Sequence, residues 1–356
     1  MPPSPLDLSQ PVEELTAVLV DTSSVSGCER PLADLIEEAL HRLPHLRVDR
    51  SGDTIVARTF TGRDSRVVLA GHIDTVPVAA NLPSHVDGGR LHGCGTSDMK
   101  SGVAVQLRLA ADPGPTAYDL TFVFYDNEEV EAARNGLVRL VREHRDWLDG
   151  DFAILLEPTN GQVEAGCQGT VRAAVRTAGR RAHSARAWLG ENAIHNAAPV
   201  LAMLADYRGR EVDIDGCVYR EGLNAVCIRG GVAGNIIPDE CTVMVNFRFA
   251  PDLSEEAAIE HVRQVFAGFE VGVTDSAPGA PPALSDPLAQ ALIAATGVPP
   301  VAKYGWTDVA RFAALGTPAL NFGPGDPNLA HTREEHVELA KIGQCERSLR
   351  TLLASS

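Results

Sequence analysis

Apolar and polar positions along the chain follow two different periods. Val12–Leu19 and Pro31–Leu43 space their apolar residues three and four apart, which predicts amphipathic helices. Short unbroken apolar runs follow at Thr54–Ala57, Val67–Ala70, Leu120–Phe124 and Phe152–Leu156. Their length and their Val, Ile and Phe content predict buried strands. Gly102–Ala111 and Val130–Leu148 read as helices between them. Strands alternating with helices predict an α/β domain with a mixed, largely parallel sheet and helices on both faces.

The pattern changes after about Gly166. Val171–Ala178 alternates as a half-buried strand and Asn192–Tyr207 reads as a helix. Asn224–Gly231 and Cys241–Phe249 read as two strands joined through Gly234-Asn235 and Pro238-Asp239. Ser254–Phe269 reads as a helix with Ser254 as its N-cap, and Glu270–Thr274 as a last strand. That order, βαββαβ, predicts an α+β domain inserted at 168–280. The linker Ala277–Ala283 follows, then a helix at Pro287–Thr296, a strand at Ala319–Phe322 and a final helix. The larger domain is therefore expected to be discontinuous, 1–167 and 281–356.

Composition narrows the function. With 31 basic and 47 acidic residues, the net charge of −16 repels nucleic acid phosphates and anionic lipid. No apolar run approaches the length of a bilayer span. Met1–Leu6 lacks the basic and apolar regions of a signal peptide. Seven cysteines without paired spacing form no disulfide framework. A cytoplasmic, reduced protein is the expectation, with neither nucleic acid nor membrane as partner.

Five short segments carry candidate chemistry. His72 and Asp74 lie in Gly71-His72-Ile73-Asp74, directly after a strand. Histidine is a good metal ligand, and Asp74 could fix its tautomer. Asp98 follows the glycine-rich turn Gly93-Cys94-Gly95, where a plain helix cap is the alternative. Asp126-Asn127-Glu128-Glu129 follows the strand ending at Tyr125. A solvated turn would look similar, but paired glutamates can divide metal binding from proton transfer. Glu157 follows Leu155-Leu156, and His331 lies past the loop Gly323-Pro324-Gly325-Asp326-Pro327. Cys94 has no Cys-x-x-Cys partner and reads as a packed thiol.

Taken together, two histidines and three carboxylates at strand ends suit a borderline metal such as zinc. One aspartate bridging two ions, with one His and one Glu on each, gives a paired-metal site. Glu128, beside a ligand and not needed as one, is then the natural base.

Gly71-His72-Ile73-Asp74-Thr75-Val76-Pro77, Ser97-Asp98-Met99-Lys100, Asn127-Glu128-Glu129, Glu157-Pro158-Thr159 and Ala330-His331-Thr332 resemble the five motif blocks of the co-catalytic dizinc metallopeptidase and deacylase family. That family includes aminoacylases, glutamate-releasing carboxypeptidases, N-acetylornithine deacetylases and succinyl-diaminopimelate desuccinylases. Within it the chain is most similar to the actinobacterial desuccinylases, through Tyr125–Glu131, Gly305–Phe312 and Asn321–Pro327. The resemblance implies an amide hydrolase with two Zn2+ per subunit, for which Co2+ can substitute. His72, Asp98 and Glu157 would hold one ion, and Asp98, Glu129 and His331 the other. Asp74 would orient His72, and Glu128 would move the proton. His183, in Arg180-Arg181-Ala182-His183-Ser184, would be an oxyanion donor in the partner subunit's site. Asn235 and Arg248 would grip substrate carboxylates, with Gly323 also against substrate. The inserted domain would be a lid that builds a homodimer.

Two positions depart from the family pattern. Cys94 stands where many members have Arg. Cys167-Gln168 stand where some desuccinylases place substrate-binding arginines. Rival substrates with the same chemistry are N-acetylornithine, N-acyl amino acids and dipeptides. A rival of another class is a non-catalytic relative that binds an amino-acid derivative, which a missing ligand or base would have favoured.

Overall fold

A computed structural model describes residues 5–354, so most of the Met1–Leu6 start lies outside the described residues. By mutual packing the chain falls into two units. The first comprises the chain up to Ala165, Ala283–Val301 and the chain from Arg311; the second comprises Gly166–Pro282 and Ala302–Ala310.

The first unit is built on an eight-stranded sheet. Its strands lie in the order Arg47–Ser51, Thr54–Arg58, Asp119–Tyr125, Arg66–His72, Phe152–Leu155, Ala319–Asn321, Glu164–Ala165 and Val301–Ala302. The four middle strands, from Asp119–Tyr125 to Ala319–Asn321, run parallel. Every residue of Thr54–Arg58 and Asp119–Tyr125 is buried. Successive strand residues point to opposite faces, so complete burial means both faces of the sheet are covered. This is the mixed, largely parallel α/β architecture expected from the sequence.

Where helices begin and end is set by local chemistry. The long helix expected over Val130–Leu148 is broken into Ala132–Arg134, Gly136–Glu143 and Arg145–Leu148. Asn135 causes the first break: its side chain accepts from Leu137 N and Val138 N and starts a new helix. Asn192–Tyr207 likewise divides into Ala193–Asn196 and Ala198–Asp206, with Pro199 in the first turn of the second piece. Ser254 does cap Glu255–Val265, accepting from Ala257 N.

The second unit holds a four-stranded antiparallel sheet in the order Gly222–Gly230, Glu240–Phe249, Gly169–Ala178, Glu270–Ala277. Its inward positions, including Val171, Val175, Val243, Val245, Phe247 and Phe249, pack with Val262 and Phe266 of the helix Glu255–Val265 and its C-cap. A hairpin of Glu211–Ile214 and Cys217–Arg220 is additional to the predicted βαββαβ order. Asp215-Gly216 forms its turn with both φ angles positive, the favoured two-residue hairpin signal. Another unpredicted sheet, in the first unit, joins His85–Asp87, Arg90–His92 and His336–Glu338. Ala302–Ala310 packs with the second unit through Gln168 N donating to Lys303 O at 3.3 Å and Trp306 Nε1 donating to Pro278 O at 3.1 Å.

Candidate metal centre

The carboxyl ends of four neighbouring parallel strands are the geometric origin of the site, the usual place for a ligand in an open α/β sheet. His72 is the last residue of its strand. Glu128 and Glu129 follow the strand ending at Tyr125, Glu157 follows Leu155, and His331 lies in the loop beyond Asn321. Asp98 comes from the turn Thr96–Lys100, ahead of the helix Ser101–Ala111.

The structure brings these residues together. His72 Nε2 lies 3.0 Å from Asp98 Oδ1, and His331 Nε2 lies 3.5 Å from Asp98 Oδ2 and 2.8 Å from Glu129 Oε1. Potential ligand atoms of His72, Asp98 and Glu157 all lie within 4.8 Å of one another, as do those of Asp98, Glu129 and His331. Asp98 thus faces one histidine with each of its oxygens, the placement of a bridging carboxylate. Glu128 joins His72 and Glu129 in a third such group.

The electrostatics follow from this crowding. Burial opposes charge on His72, but the Asp74 and Asp98 carboxylates hold its pKa well above the ordinary value. Hydrogen bonds to Asp98 and Glu129 raise His331 to about 10. Burial would raise Asp98, yet His331 and His72 hold it below the ordinary carboxylate range. Imidazole nitrogens facing carboxylates at hydrogen-bond distance share protons that a cation can replace. The donor set of two imidazoles and three carboxylates therefore fits divalent ions of the zinc type. No thiolate joins it: the Cys94 thiol is buried, its pKa pushed up by that burial, and it points at Val76 O.

Two buried carboxylates hold the Asn127–Glu129 turn from beneath. Asp74 accepts from Glu128 N at 3.0 Å, Glu129 N at 3.1 Å and Ser26 Oγ at 2.7 Å. Glu29 accepts from Asn127 N at 3.1 Å and Gly27 N at 2.9 Å, both on Oε1. Asn127 turns through positive φ between them. Asp74 meets His72 Nδ1 with its main-chain carbonyl at 3.0 Å and with Oδ1 at 3.5 Å. Asp126 points elsewhere, anchoring Thr54 Oγ1 and Arg139.

Glu29 and Glu335 went unnoticed in the sequence, and no motif signals either one. Glu335 is buried beneath the Asp98 turn. Burial pushes its carboxyl up to about 7, against amide donors that favour its charged form. Lys100, from the Asp98 segment, is turned away and donates to Leu19 O and Thr22 O at the end of the helix Val12–Asp21.

Gly323 packs on the backbone that carries Glu157. A Cβ there would lie 2.4 Å from both Leu156 O and Glu157 O, so no other residue fits. The remaining candidates belong to the second unit. His183 is exposed, and its Nδ1 accepts from Ala185 N. Asn235 O accepts from Ser184 N. Arg248 lies on Glu240–Phe249 without an ion-pair partner among the described residues; burial and nearby Arg172 lower its pKa. Cys167 and Gln168 are buried, and Gln168 donates to Arg220 O.

Residues 68–355 match the sequence family described as Peptidase family M20/M25/M40. The chain is 56% identical over 351 residues to a Mycobacterium tuberculosis protein provisionally named succinyl-diaminopimelate desuccinylase DapE, covering 98% of this chain and 99% of that one. It is 48% identical over 360 residues to the succinyl-diaminopimelate desuccinylase of Corynebacterium glutamicum, covering 98% of each. Among solved structures, a tripeptidase from Staphylococcus aureus superposes with a TM-score of 0.81 at 21% identity, covering 99% of each chain.

Proposed function

The chain belongs to peptidase family M20/M25/M40, and from that premise we propose that it removes succinate from N-succinyl-LL-2,6-diaminopimelate. It is a metal-dependent amide hydrolase. The observation that carries the reading is Asp98 set between two groups, His72 with Glu157 and His331 with Glu129, in a chain 48% identical to a named desuccinylase.

His72, Asp98 and Glu157 would hold one ion, and Asp98, Glu129 and His331 a second, zinc or cobalt in its place. Two such ions supply Lewis-acid polarisation of the amide carbonyl and lower the pKa of the attacking water. Glu128 accepts the proton of that water on its carboxylate and delivers it to the departing amine. Asp74 fixes where Glu128 stands by holding its backbone amide. His183 of a second copy donates a hydrogen bond to the developing oxyanion. Asn235 and Arg248 bind the substrate carboxylates. The half-buried Arg248 guanidinium, with no acidic partner among the described residues, has capacity for such an anion.

The homodimer reading has its support in the second unit. Gly222–Gly230 is an edge strand with Val226 and Ile228 exposed at 62% and 49%. Leu201, on the helix Ala198–Asp206, is also exposed. An apolar edge of this kind invites pairing with another chain. The seven cysteines are all free, which supports a reducing, cytoplasmic setting for the reaction. Among the described residues no helix is long and apolar enough to cross a membrane.

The test is hydrolysis by zinc-reconstituted protein of N-succinyl-LL-diaminopimelate, N-acetyl-L-ornithine and a dipeptide panel, with and without chelator. Chelator-sensitive succinate release from the first alone is expected. Preference for another substrate would contradict the succinyl assignment, and chelator-resistant turnover the metal chemistry.

A further inference from the structure

The turn carrying Asp98 has little regular structure to hold it. Four of its amides are donated to a single residue. Gly95 N reaches Glu335 Oε2 at 3.0 Å, while Ser97 N and Asp98 N reach Oε1 at 2.9 and 3.1 Å. Gly93 N donates to the Glu335 carbonyl at 3.1 Å. Ser97 Oγ adds a bond to His336 O at 2.8 Å. Glu335 is 2% exposed, and its carboxylate has no basic residue within salt-bridge distance among the described residues. A buried carboxylate is costly unless several donors converge on it. Here the donors are the backbone of the turn itself.

Glu335 also lies four residues after His331 in the same segment. It therefore ties the Asp98 turn to the stretch of chain that carries His331. Two facing ligands of one ion position are held in register by one buried side chain. Glu335 touches neither ligand side chain; it acts on Asp98 through the amide of that residue.

We propose that Glu335 is a positioning residue that sets the bridging placement of Asp98 between the two ion positions. This rests on the paired-metal reading above. The chemistry requires an acceptor on both oxygens. In Glu335→Gln, one oxygen becomes an NH2 group facing a backbone N–H, so either Gly95 or the Ser97–Asp98 pair loses its acceptor. Partners of this outer kind typically change metal affinity or activity by about 10–100-fold when mutated.

The experiment compares metal-free wild type, Glu335→Gln, Glu335→Asp and the exposed neighbour Glu334→Gln. Each is titrated with Co2+ against a competing chelator, and its visible absorption spectrum is recorded. Wild type and Glu334→Gln should bind two equivalents with one spectrum. Glu335→Gln should lose about 10–100-fold in affinity with shifted bands, and kcat should fall more than KM changes. Glu335→Asp keeps the charge but draws the acceptor back, and serves should the glutamine variant fail to fold; it too should lose affinity. Wild-type affinity and spectrum in a folded Glu335 variant, even with lowered melting temperature, would overturn the proposal and leave the paired-metal site standing. Fewer than two equivalents bound by wild type would overturn the paired-metal reading, and this proposal with it.

Discussion

Glu29 offers a sharp test of how Glu128, the proposed base, is held, because Gly27 N and Asn127 N share one of its oxygens. Gly27 N and Asn127 N reach Oε1 at 2.9 and 3.1 Å, in a position only 1% exposed. Glu29→Ala leaves both donors without an acceptor. The Asn127 amide is buried, and orphaning it costs about 1–3 kcal/mol; Gly27 is exposed, so water replaces the acceptor of its amide at little cost. Glu29→Gln keeps an oxygen that can take both bonds. It loses only the extra strength of a charged acceptor, and it also removes repulsion from Asp74. A net loss of about 1 kcal/mol is expected. The catalytic effect should follow the same order, since Asn127 N begins the turn that presents Glu128. A displacement of about 1 Å there costs about 100-fold in rate. Urea unfolding and steady-state kinetics on the three proteins measure both quantities. Glu29→Gln as damaged as Glu29→Ala would refute the acceptor argument and make charge the decisive property. An alanine variant equal to wild type would show that Asp74 alone holds the turn.

Other outcomes follow from the same geometry. Glu128→Gln should keep both metals, by elemental analysis, and lose about 10²–10⁴-fold in kcat; a fully active variant would remove Glu128 from its role. Ile228→Lys on the exposed edge strand should give a monomer by light scattering, and a persistent dimer would place the interface elsewhere. In metal-free protein His331 titrates at about 10 against 6.5 when free. Its folded pKa is raised, so its contribution to stability is complete below about pH 6.5 and is lost as pH rises through about 10. Urea midpoints of metal-free wild type should therefore fall over that range more than those of His331→Asn; parallel curves would contradict the ion-pair geometry.

The α/β alternation was legible because buried parallel strands are continuous apolar runs, as at Val67–Ala70 and Leu120–Phe124. Candidate ligands were legible because each follows such a run or lies in a nearby loop. Missed strands were short and polar: His85–Asp87, Arg90–His92 and Glu211–Ile214 carry too few apolar residues to stand out. The break at Asn135 was missed because a capping side chain overrides apolar spacing on either side of it. Glu29 and Glu335 were invisible for a deeper reason. Their bonds to the site, from Asn127 N to Glu29 and from Gly95, Ser97 and Asp98 N to Glu335, come from backbone amides distant in sequence, and a backbone donor leaves no residue type to read. Gly323 was singled out in the sequence, but its close approach to the Leu156 and Glu157 carbonyls emerges only from the packing.

The central claim is that Asp98 joins two ions at the ends of the parallel strands. Anomalous scattering at the zinc edge from crystals of the reconstituted protein tests it most directly. The account predicts two peaks about 3.5–4 Å apart, one beside His72 and Glu157 and one beside Glu129 and His331, with Asp98 between them. A single peak, or two peaks not shared by Asp98, would contradict it.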